Sequence, residues 1–180
     1  MASTASSLTA CLLLLASWAT PQVRERQCGF DRWAVKTLAD RDIGRINFNP
    51  VDTTIASLVA LRIHEIPYPN DSRIEPEELR VYRVKARLIA VKRESDQDLH
   101  VIIADLDRPT AMMVVEIPAP RCASAKWSEQ FTVAREAVQK LSAGALITVT
   151  GVGFWDYIHG QGVTGAAPNG FELHPVLSIQ

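Results

Sequence analysis

The chain has 180 residues, 47% hydrophobic and 22% charged, with a net charge of -1. Those proportions suit one globular domain with a single core, and they exclude a disordered, collagenous or membrane-bundle chain. A charge this close to zero gives no overall attraction to nucleic acid or acidic lipid.

Residues 1–19 read as a secretory signal peptide cleaved near Ala19. An uncharged apolar run extends from Leu8 to Ala19, and small residues flank Trp18 at Ser17 and Ala19. Leu8-Thr9-Ala10-Cys11 has lipobox spelling, but most of the apolar run follows the cysteine instead of preceding it. A run of about twelve residues is too short to span a bilayer, so no stable membrane insertion is expected after cleavage. Cleavage leaves Cys28 and Cys122. In an exported chain two cysteines read as one disulfide, with two free thiols as the competing reading. The bond would close a loop worth roughly 4–5 kcal/mol in the chain-entropy model.

Residues 20–78 read as a leader and N-terminal extension. Trp33, Val35 and Thr37 alternate with Ala34 and Lys36, which suggests a short strand. Thr53 or Thr54 can cap a short helix through Leu61. The stretch IPYPNDSRIEPEEL, with three prolines, is a loop bounding the extension.

Residues 79–180 read as the main domain. In LRVYRVKARLIAVKRE, Tyr82, Val84, Ala86, Leu88 and Ala90 alternate with charged positions, a strand with one buried face. LHVIIADLD and AMMVVEIP are two further strands separated by turns. The period then changes. Trp127, Phe131, Val138 and Leu141 mark a helix capped by Ser124 or Ser128 and closed by Gly144. ALITVTGVGFW and FELHPVLSI are the last two strands. The order β-β-β-α-β-β predicts a mainly β, OB-fold-like β-barrel, with another α+β sandwich of the same order as competitor. Gly151 and Gly153 fit strands that bend round a barrel corner.

Three constellations could carry chemistry. Asp156 and His159 end the fourth strand, and Glu172 and His174 share a face of the fifth. Two imidazoles and two carboxylates suit a divalent metal such as zinc, manganese or iron. The alternative is that these groups only pair with neighbours. Asp98 and His100 share a face of the second strand, and Glu116 sits in an otherwise apolar third strand. A buried glutamate needs a partner, which could be His100, an arginine or a metal. Arg83, Lys85 and Arg87 line one face of the first strand, the makings of a nucleic-acid groove. Tyr82 lies on the opposite parity, and a solvated face is the commoner outcome, so nucleic-acid binding is not expected. Nucleophile, P-loop, C-x-x-C and H-E-x-x-H signatures are absent.

The stretches RWAVKTLAD, SDQDLHVIIAD, VVEIPAPRC and TGVGFWDYIHGQGVTGAAPNGFELHPVLSI resemble a group of exported bacterial proteins with no established activity. The last block also looks similar to a wider set of small bacterial proteins, which share an aspartate, a histidine three later and a closing E-x-H-P. The resemblance points to Asp156, His159, Glu172 and His174 as a metal set. It adds Asp98, His100, Glu116, Gln161 and Asn169 as ligand-binding positions.

The sequence thus predicts an exported, OB-like, non-catalytic module in the periplasm or outside the cell, binding an unknown ligand or envelope partner. The alternative is a metal-dependent hydrolase acting on a phosphodiester, with Glu172 or Glu116 as base.

Overall fold

The computed structural model describes residues 28–29, 31–64, 67–158 and 165–180. The predicted signal peptide, His159 and Gln161 lie outside them.

Five strands close a barrel: β2 (Arg80–Arg93), β3 (Leu99–Asp105), β4 (Met112–Ile117), β5 (Leu146–Trp155) and β6 (Phe171–Ile179). The order round it is β2-β3-β4-β6-β5, and β5 returns to β2. Neighbours run antiparallel except β4 and β6, which are parallel. This is the OB arrangement, and each element predicted for the main domain is present in the predicted order. Period-two alternation sends Val84, Ala86 and Leu88 of β2, Val101 and Ile103 of β3, Met113 and Val115 of β4 and Leu173 of β6 into one core.

Helix α3 (Ala125–Gln139) follows β4 and packs chiefly on β6. Phe131, Ala134 and Val138 form its buried stripe. Ser124 occupies the N-cap position, but its side chain makes no capping bond. The helix ends before Gly144, whose N–H donates to the Leu88 carbonyl at 2.8 Å. That glycine (φ 91°) therefore turns the chain into β5 and does not close the helix.

The extension departs from expectation at two places. Trp33–Lys36, expected as a strand, is one helical turn, α1. Arg32 enters it in a left-handed conformation (φ 51°), and Thr37 Oγ1 donates to the Trp33 carbonyl at 2.8 Å. Five alternating residues were too few to separate the two periods. Asn47–Thr53, which showed no clear period, is an edge strand, β1, parallel to β2. Pro50 is tolerated there because an edge strand has one unpaired side. Thr54 does cap the short helix α2 (Ile55–Leu58), accepting the Ser57 N–H at 3.1 Å.

Two buried ion pairs fasten the extension. Arg32 clasps Glu78 with both terminal nitrogens at 2.7 Å. Arg73 meets Asp40 at 3.2 and 2.7 Å. A disulfide, Cys28–Cys122, ties the start of the extension to the turn after β4, with Cα atoms 5.7 Å apart. Among the described residues, no helix is long and apolar enough to cross a membrane.

Candidate functional site

Because odd-numbered residues of β3 and β4 fill the core, the even-numbered ones face outward. On this barrel the outward face of β3, β4, β6 and the end of β5 is also covered. Phe154, Glu116 and His174 are almost completely buried although they belong to the outer face. Part of the cover is α1: the Arg32 guanidinium lies 4.7 Å over the Phe154 ring, and Lys36 Nζ lies 5.4 Å from it. Another part is the end of the glycine-rich connection between β5 and β6. A Cβ on Gly165 would stand 2.3 Å from Ile102 of β3, and one on Gly170 would stand 2.6 Å from the Asp156 carbonyl. Both glycines have positive φ, so the connection can press onto the sheet only with glycine there.

His174 stands at the centre of this face. A bulge places it there: Gly153 faces Leu173 and Gly151 faces Val176, so one residue of β5 opposes two of β6. Its Nδ1 lies 3.1 Å from Glu116 Oε2, and its Nε2 lies 3.5 Å from Asp98 Oδ2. Its ring lies 5.3 Å from that of Phe154. Glu116 Oε1 lies 2.7 Å from His100 Nε2, and His100 Nδ1 lies 3.6 Å from Glu94. Asp98 Oδ1 accepts the Ala119 N–H at 2.9 Å. Acid and imidazole therefore alternate from Asp98 through His174, Glu116 and His100 to Glu94.

The charged groups on this face act on one another through short, buried distances. Burial pushes the Glu172 carboxyl well above the usual range, and Glu116 and Asp156 add to the rise. Burial acts on Glu116 the same way, but His174, His100 and Lys36 outweigh it and hold that carboxyl well below the usual range. Burial alone would lower the pKa of Lys36. Glu116, Asp156, Glu172 and Asp98 together raise it instead. For His100, burial is likewise overcome, by Glu116 first and then Glu94 and Asp96.

Above this network a cleft of about 290 Å³ opens to solvent. Its polar lining is Glu94, His100, Asp156 and Glu172, and its apolar lining includes Val114, Tyr157, Ile158 and Ala167. Asp98, Glu116 and His174 lie beneath it and do not line it.

No protein-family model and no curated protein matches the chain.

The two site clusters read separately in the sequence form one face here, because β4 and β6 are neighbours. Glu172 and His174 of the expected metal set join Asp98, His100 and Glu116 of the expected ligand-binding set. Asp156 reaches the same place from the cleft side. Asn169 does not line the cleft. Its Nδ2 donates to the Leu58 and Leu61 carbonyls at 2.9 and 3.1 Å, and its Oδ1 accepts the Phe171 N–H at 3.1 Å, fastening the connection to α2. The basic residues of β2 are elsewhere: Arg83 faces Asp52 at 3.4 Å, and Arg87 donates to the Gly144 carbonyl at 2.9 Å. Arg32 and Lys36 were missed. Arg32 and Lys36 are four apart, one helical turn, and would have been paired had the segment been read as helix.

Proposed function

We propose that the protein is an exported, non-catalytic OB-type binding module, and that its ligand presents a cationic group such as an ammonium or guanidinium. OB barrels take ligands on their second and third strands, between the loop joining strands one and two and the loop joining strands four and five. The corresponding parts here are β3, β4 and the loops after β2 and β5, and the cleft lies among them. The observation that carries the reading is the sign of its lining: Glu94, Asp156 and Glu172 line it beside His100, and among the described residues no lysine or arginine does. A phosphate backbone requires the opposite sign. Tyr157, stacked 5.1 Å from Tyr68, adds an aromatic wall suited to a cation.

Nuclear magnetic resonance of the oxidised full chain tests this. Agmatine, which carries both cationic groups, is expected to shift the amides of residues 94–100, 156–158 and 170–172. Asp156→Asn combined with Glu172→Gln should weaken it at least about tenfold, a loss of roughly 1.4 kcal/mol. An oligothymidylate should shift none of these amides. Its binding in the cleft, or silence toward agmatine, spermidine and lysine methyl ester alike, overturns the reading.

A second reading, the metal-dependent hydrolase, has one observation in its favour. The Glu116 carboxyl is held low and the Glu172 carboxyl is raised, opposed shifts of the kind an acid–base pair uses, beside the grouped donors of Asp98, Glu116 and His174. Manganese-dependent hydrolysis of a bis-aryl phosphate, abolished in Glu172→Gln, would put this reading first.

A further inference from the structure

We propose that Asp98, Glu116 and His174 hold a divalent transition-metal ion in a buried site beneath the acidic cleft. Asp98 Oδ2, Glu116 Oε2, Glu172 Oε2 and both ring nitrogens of His174 are shielded from water and have no hydrogen-bond partner among the described residues. Folded proteins leave few buried polar atoms unpaired, and here five stand on one face. Donor atoms of Asp98, Glu116 and His174 lie within 4.8 Å of one another.

The close contacts of His174, 3.1 Å to Glu116 and 3.5 Å to Asp98, lack hydrogen-bond geometry. An imidazole binds an ion through one nitrogen, so one of these carboxylates flanks the bound nitrogen and the other closes from within 4.8 Å. Imidazole with carboxylates is a donor set for zinc, iron or manganese. Asp98, Glu116 and His174 are at most 2% exposed, so the ion would be shielded from bulk water, with its fourth position left to a small ligand.

This site shares no residue with the cleft lining and does not rest on the cationic-ligand reading. Its test uses metal alone. The oxidised full chain, stripped with a chelator, is titrated with Zn²⁺, Mn²⁺ or Co²⁺. The expected result is one equivalent bound, a four-coordinate cobalt spectrum, and one imidazole with paramagnetically shifted ring protons. Asp98→Asn and His174→Gln should each weaken binding at least about a hundredfold. His64→Gln, at a histidine paired with Glu77 away from this face, should not. If His174→Gln fails to fold, Asp98→Asn and the cobalt spectra of the unaltered chain decide the matter. A folded chain that binds no stoichiometric ion, an Asp98→Asn variant with undiminished affinity, or an octahedral cobalt spectrum overturns the proposal. Agmatine shifts that persist in a chain binding no metal would show that only the metal site had failed.

Discussion

Glu78→Gln tests how the extension is held on the barrel. Glu78 is fully buried. Its Oε1 accepts from Arg32 Nη1 and the Trp155 N–H, and its Oε2 accepts from Arg32 Nη2 and the Ile74 N–H, all at 2.7 Å. Glutamine keeps the shape, but its NH₂ cannot accept. Whichever way the amide turns, two bonds are lost and two donors face donors. Arg32, itself 1% exposed, then keeps its charge with no carboxylate beside it. Removing one partner of a buried pair costs about 3–5 kcal/mol. That is a large share of a domain stability of about 5–15 kcal/mol. At about 2–4 °C per kcal/mol for a chain of this size, the melting temperature should fall by about 6–20 °C. Calorimetry and urea unfolding of the oxidised chain measure it. Arg32→Gln alone should cost a similar amount, and the double variant less than the two added together. A Glu78→Gln variant within about 0.5 kcal/mol of the parent, or a strictly additive pair, would refute the reasoning.

Asp105 accepts the Ala56 N–H at 2.9 Å and the Asp107 and Arg108 N–H groups at 3.0 Å. Burial works against its ionised form, but these bonds and the Arg108 charge hold its carboxyl below the ordinary value. Its contribution is therefore full above the unfolded-chain value, about 3.9, and is lost as pH falls through the lower folded value. Asp105→Asn should cost roughly 1 kcal/mol at neutral pH in urea titrations, with the difference vanishing in acid. A Cβ on Gly153 would stand 2.5 Å from the Glu77 carbonyl and 2.9 Å from both Phe171 and Tyr82, whereas one on Gly44 would touch nothing within 4 Å. Gly153→Ala should therefore destabilise by about 1–3 kcal/mol and Gly44→Ala by less than about 0.5 kcal/mol, as melting temperatures will show. Cys28→Ser with Cys122→Ser opens a loop of 94 residues and should cost about 2–5 kcal/mol by urea unfolding.

The barrel was legible because its strands alternate cleanly. Arg83, Lys85 and Arg87 stand against Val84, Ala86 and Leu88, and the period changes abruptly at Ser124. The extension was not, because its elements are short and take their stability from the barrel. One helical turn at Trp33–Lys36 has no periodicity to read; Arg32 reaching Glu78, a contact 46 residues away, holds it. The site was half legible. Glu172 and His174, two apart on a strand, announce a shared face, as do Asp98 and His100. That both pairs meet Glu116 depends on the parallel contact of β4 with β6, a long-range pairing. That they meet it in a buried place depends on α1, which the sequence reading took for a strand.

The cover therefore belongs to the site and does not merely tether it. On a bare barrel, Asp98, Glu116, Glu172 and His174 would face water, where each is satisfied by solvent and none has reason to attract an ion or a ligand. Laying α1 and residues 165–170 over this face removes that solvent, and the weak interactions of exposed charges become strong ones. The same step explains the opposed behaviour of the two glutamates. Glu116 lies under the imidazoles and Lys36, while Glu172 faces Glu116 and Asp156. A cation entering from the cleft would add to the positive charge that Lys36 already brings to Glu172. The Arg32–Glu78 pair stands at the extension's side of this face. On this reasoning, changes there act on binding as well as on stability.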